Sequence, residues 1–143
     1  MSGVFNTIDL EYVSQHLVAE FSAAEVLAAI KDCNNNKVQG PNGFNLLCYQ
    51  KFWKVMQLDI MQFFKEFHSN SRLAYGINSS FITLIPKVNN PIGLSDYRPI
   101  SLVGSIYKIL AKVLSHRLKL MFTSMTGETQ TAFIGGRNFL DGV

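Results

Sequence analysis

Two cysteines and one tryptophan are all that this chain of 143 residues holds of those types. Cys33 and Cys48 alone make neither a disulfide framework nor a paired-cysteine zinc pattern. A reducing, intracellular setting, nuclear or cytoplasmic, is the expectation. His16, His68 and His116 have no metal-ligand spacing. No apolar run approaches the roughly 20 residues of a membrane helix, so no membrane partner is expected. The N-terminus lacks a basic head followed by an apolar run, which argues against secretion. Walker and dinucleotide fingerprints are missing. Acids are scarce beyond Glu66, where only Asp96, Glu128 and Asp141 occur and none adjoins another. Two-metal phosphoryl transfer needs clustered carboxylates, and this half of the chain offers none. Ser101 and Ser105 have no nearby His–Asp partners, so a hydrolytic triad has no support.

What is present is apolar bulk. Hydrophobic residues make up 48% of the chain, with eleven Phe and five Tyr, enough to bury a core and to exclude a disordered chain. The length suits one domain. The net charge of +3 is unevenly spread. Residues 1–70 hold five lysines against seven acids, net −2; residues 71–143 hold eight Lys or Arg against three acids, net +5. A basic half points to an anionic partner such as nucleic acid or phosphate, or simply to a solvated surface.

Residues 9–20 are weakly helical. Ser22-Ala23-Ala24-Glu25 has the spacing of a capping box, and Val26, Leu27 and Ile30 supply an apolar stripe, predicting a helix over about 23–33. Lys37 to Gly43 reads as a turn around Pro41, with Gly40 and Gly43 free to take positive φ. From Phe44 a helical pattern runs to about His68, with a break expected near Gln57. Phe81 to Ile85 is β-prone and ends at Pro86. Pro99 pushes Arg98 out of the helical region, so Tyr97 to Leu102 is extended. Segments 80–87 and 96–102 are read as the arms of a hairpin with a long loop. Helical period returns over about 103–122 through Ile106, Ile109, Leu110, Val113, Leu114 and Leu118. The segment from Thr123 is loop-like.

Two groups of cations could carry chemistry. Lys87 and Arg98 each adjoin a proline. If the hairpin forms, both lie near its loop end and can converge on one anion, a point charge beside a planar donor fork. The pattern alone favours the plainer reading, two exposed charges at strand ends. Lys108, Lys112, Ser115 and Lys119 form one polar stripe on the last helix, with Arg117 to its side. Such a stripe can track a phosphate backbone; it is also how an amphipathic helix meets water.

The motifs in order are Lys37-x-x-Gly40-Pro41-Asn42-Gly43-Phe44, Leu84-Ile85-Pro86-Lys87, Asp96-Tyr97-Arg98-Pro99-Ile100-Ser101-Leu102, Tyr107-Lys108-Ile109, Arg117-Leu118 and Gln130-Thr131-Ala132-Phe133-Ile134-Gly135-Gly136-Arg137. This succession resembles the N-terminal part of the reverse transcriptase domain of non-LTR (LINE-type) retrotransposons, particularly the plant representatives. The resemblance covers about residues 20–143, leaving 1–19 as an N-terminal extension. It implies the fingers of a right-hand polymerase. Lys87 and Arg98 match the basic residues of two fingers motifs that face the incoming triphosphate. Gln130 to Arg137 matches a motif near the template–primer path, and Lys108 and Lys112 sit in the helix before it.

The chain departs from the family in two ways. Its turn reads Gln39-Gly40-Pro41-Asn42-Gly43 where the family usually has Pro-Gly-Pro-Asp-Gly; Asn42 is expected to cap the next helix in place of the Asp. The family's first catalytic Asp and its aromatic-x-Asp-Asp motif would lie beyond Val143, in the palm.

The expected fold is therefore α+β, mostly helical with a small antiparallel hairpin. The expected function is to contribute nucleotide and template contacts to an RNA-directed DNA polymerase. Its partners would be template–primer and dNTP in a complete enzyme. No catalytic residue, metal ligand or cofactor is expected in this chain, and Mg2+ only in the complete polymerase. The alternatives are a non-enzymatic nucleic-acid-binding remnant and an inert pseudogene product. Oligomeric state has no sequence signal.

Overall fold

The computed structural model describes residues 7–33, 40, 41 and 43–125, with side chains for all of these but 7–10, 13 and 123–125. Lys37, Asn42, Gln130 and Arg137 lie outside the described residues. The order is helix α1 (Thr7–Val18), α2 (Ala23–Asp32), α3 (Leu46–Lys51), α4 (Trp53–Asn70), strand β1 (Ser80–Pro86), a 3-10 turn (Leu94–Asp96), strand β2 (Tyr97–Val103) and α5 (Ser105–Met125). This is the α+β class expected, mostly helical with one two-stranded antiparallel sheet. Two compact units divide the chain. One is Phe21–Lys112; the other comprises the described parts of Met1–Glu20 and Val113–Val143.

In the first unit α2 begins as its sequence demands. Ser22 is extended at φ −94°, and its hydroxyl accepts the Glu25 amide at 3.2 Å. Its stripe buries Val26, Ala29 and Ile30. Phe64 of α4 is fully buried, with the Phe21 ring edge-on at 5.0 Å. Leu46, Tyr49, Ile60, Ile109 and Leu110 complete this core.

The long helical pattern after Phe44 breaks at Phe52 rather than near Gln57. Phe52 leaves the helical region at φ −103°, ψ 20°, while its amide still reaches Cys48 O at 2.9 Å. Neither Gly nor Pro marks the position, so the sequence carries no signal for it. The start of α3 also differs in detail. Its cap is Asn45, whose Oδ1 accepts the Cys48 amide at 3.0 Å. Asn42, the expected cap, precedes it by three residues.

The two glycines of the preceding turn serve different ends. Gly43 has φ +70°, the left-handed region where glycine is at ease. Gly40 is required for space. A Cβ there would lie 2.2 Å from Val103 O and 2.8 Å from Gly104 N, both immovable backbone atoms. The turn is thereby pressed against the end of β2. Nearby, the buried Ser105 hydroxyl donates to Phe44 O and ties the start of α5 to the same segment.

The hairpin forms within a residue of its expected arms. β1 pairs β2 from Ser80↔Val103 to Pro86↔Tyr97. The Lys87 amide donates to Asp96 O at 2.7 Å, adding one rung beyond the strands. Rungs alternate in an antiparallel pair, so 85/98, 83/100 and 81/102 are hydrogen-bonded sites and 86/97 and 84/99 are not. Pro86 and Pro99 thus both occupy places where no ladder N–H is asked of them. The prolines fit this register.

In the second unit, α1 ends against a single cation. Arg117 is only 9% exposed. Its Nη1 donates to Leu17 O at 3.1 Å and Ala19 O at 2.7 Å, and its Nη2 to Glu20 O at 3.1 Å. The last carbonyls of a helix lack partners of their own and form the negative end of its dipole. Arg117 satisfies both needs.

Candidate functional site

The pairing register decides where Lys87 and Arg98 stand. Arg98 lies opposite Ile85, and side chains two apart on a strand share a face. Lys87, two beyond Ile85, is therefore a diagonal neighbour of Arg98 on one face of the ribbon. Diagonal pairs have about 7–8 Å between them, within reach of two long side chains. The rest of that face is Phe81, Thr83, Ile85, Ile100 and Leu102. Apart from Thr83 it is apolar, with two cations at its loop end.

The loop joining the strands is held by few groups. Asp96 Oδ2 accepts two amides, Ile92 at 3.0 Å and Gly93 at 3.1 Å. The Asp96 amide returns to Gly93 O at 3.0 Å. Those two backbone donors hold the Asp96 carboxyl below its ordinary value of 3.8. Lys87 Nζ donates to Ser95 O at 2.9 Å. An ammonium has three N–H donors, so two remain for an anion. Arg98 is exposed, and its guanidinium has no partner among the described residues.

The cations of α5 are not equivalent. Lys112 forms an ion pair with Asp32 at 2.9 Å, and that hydrogen bond is the main reason its pKa lies above the ordinary value. The half-buried Lys108 has no charged partner among the described residues. Arg117 does not join the stripe, being committed to three carbonyls. Two of these arrangements escaped the sequence reading. Asp96 sits in a motif but suggested no role of its own; its position three residues after Gly93 in a turn was the available signal. Nothing in the sequence marks the acceptors of Arg117, about a hundred residues away along the chain.

A separate cleft of about 530 Å³ lies at the end of α4, lined by Phe63, Glu66, Phe67 and Arg72 among others. It contains none of the sequence-predicted residues. Among the described residues no group of three or more His, Cys, Asp or Glu could hold a metal ion. Among them, too, no helix is long and apolar enough to cross a membrane.

No protein-family model matches the chain. It is similar to the uncharacterized 149 kDa protein of transposon TX1 from Xenopus laevis, with 26% identity over 129 residues. That match takes in 90% of this chain and 10% of the Xenopus protein, so the chain spans about a tenth of the length of this relative. The likeness links the chain to a transposon protein.

Proposed function

We propose that this chain supplies nucleotide-triphosphate and template contacts to a reverse transcriptase, from the fingers region of a non-LTR retrotransposon polymerase. The observation that carries the reading is the shared face of Lys87 and Arg98 at the loop end of the hairpin. The transposon likeness supports the same class of protein.

The chemistry asked of these two residues is positioning and charge compensation. The planar guanidinium of Arg98 can meet two oxygens of one phosphate at once. Lys87 can add a compact charge through its two remaining donors. Neither needs to form or break a covalent bond, as is usual for the protein's part in phosphoryl transfer. The carboxylates and Mg2+ that perform polymerisation belong to the complete enzyme.

The test is titration of the purified chain with dATP, followed by NMR. A charge-assisted hydrogen bond contributes about 1.5–3 kcal/mol. Arg98→Ala should therefore weaken binding about tenfold or more. Lys87→Ala should weaken it less, since its ammonium already has an acceptor. Absence of binding, or affinities unchanged in both variants, would defeat the reading.

A second reading, a non-enzymatic nucleic-acid-binding remnant, draws on Lys108, which has no charged partner among the described residues. It predicts salt-sensitive RNA binding without any dependence on Arg98.

A further inference from the structure

We infer that Asp96 is the positioning residue of the hairpin site: its carboxylate closes the turn that presents Lys87 and Arg98 together. This rests on the nucleotide reading above and deepens it. Taken as charge alone, an acid beside an anion site is a handicap, since it repels the ligand that the cations attract. The geometry gives it another use. One oxygen, Oδ2, accepts the amides of both Ile92 and Gly93 at 3.0 and 3.1 Å, so residues 92–96 close on a single atom. The Asp96 carbonyl takes the Lys87 amide at 2.7 Å, and the neighbouring Ser95 carbonyl takes the Lys87 ammonium at 2.9 Å. Arg98 follows two residues later.

Ser95 and Asp96 are thus gripped from one side by the turn and from the other by Lys87. The turn needs such a hold. Loop residues Ile92 and Leu94 are exposed, without apolar packing to fix them. When the two amides lose their acceptor, the Ser95 and Asp96 carbonyls lose their fixed place, and Lys87 loses both of its anchors.

The experiment measures tripolyphosphate affinity by calorimetry on the full chain and two variants. If Asp96 acted only through its charge, Asp96→Ala would raise the affinity by removing a repulsion. Positioning demands the opposite, a fall of about tenfold. Asp96→Asn keeps a carbonyl oxygen able to accept both amides and drops the charge, so its affinity should equal or exceed that of the parent. An Ala variant that binds as tightly as the parent, or an Asn variant that falls as far as Ala, would overturn the inference.

Hydrogen exchange at the Lys87 amide gives a second readout that needs no ligand. Protection there should drop at least tenfold in Asp96→Ala and persist in Asp96→Asn. Equal protection in Ala and parent overturns the inference whatever the binding result. If the parent does not bind tripolyphosphate, or Lys87→Ala and Arg98→Ala leave its affinity unchanged, the nucleotide reading fails. The Lys87 exchange measurement still decides the role of Asp96.

Discussion

Arg117 and Asp96 each hold backbone in place with one side chain, and for Arg117 the geometry is one that a near relative cannot copy. The fork of Arg117 reaches three carbonyls in different directions from two nitrogens. A lysine presents all its donors from one point on a flexible stem and leaves part of this set unpaired. Arg117→Lys should destabilise the protein by about 1–3 kcal/mol, read from the urea midpoint at constant slope. Asp96 yields a prediction in pH. Its folded pKa is lowered below 3.8 by the Ile92 and Gly93 amides. Its contribution is therefore present in full above the unfolded value and is lost as pH falls through the lower folded one. The amide shifts of Ile92 and Gly93 should titrate together with a midpoint below 3.8 in an acid titration by NMR. A midpoint at or above 3.8 would contradict the hydrogen bonds that define the loop.

Among the elements, the hairpin is the one whose sequence and structure constrain each other most closely. Its alternating rungs allow proline at every second residue of β1 and forbid it between. Ile82 faces Ser101 at a site without ladder bonds, like Pro86, whereas Thr83 faces Ile100 at a bonded one. Ile82→Pro should keep the cross-strand contacts seen by NMR, and Thr83→Pro should abolish them. If Ile82→Pro also dissolved the hairpin, the register would be wrong by one residue. The helices show the converse. The apolar stripes of α2 and of the 46–64 stretch were readable, because burial selects residues at helical spacing. The break at Phe52 was not, because no residue there carries a local preference for leaving the helix.

For the whole molecule, two features bear on function. The hairpin is exposed on both faces: Phe81 is 58% accessible on one and Ile82 74% on the other. A two-stranded ribbon of this kind is marginal alone and invites a covering partner. The second reading proposed above makes the cations of α5 the surface for nucleic acid. Affinity for single-stranded RNA should fall with salt, with a slope of about −0.7 for each phosphate neutralised. Lys108→Ala should reduce that slope by about one such step. Lys112→Ala should change it less, because its charge is already met by Asp32 at 2.9 Å. Equal effects of the two substitutions in a salt titration would show that the ion pair opens when RNA binds.

The sequence by itself determined the α+β class, the capped helix at 23 and the hairpin arms. These are local or periodic properties: a cap, an apolar stripe, a proline beside a strand. It also named Lys87 and Arg98 as a pair. Only the tertiary structure decided that the two share a face, since that depends on which residue of one strand stands opposite which of the other. It likewise decided that Lys112 is paired, that Arg117 is committed to backbone, and that Gly40 is needed for space rather than for conformation. Each of these depends on partners far apart in the chain, brought together only when the backbone closes around its core.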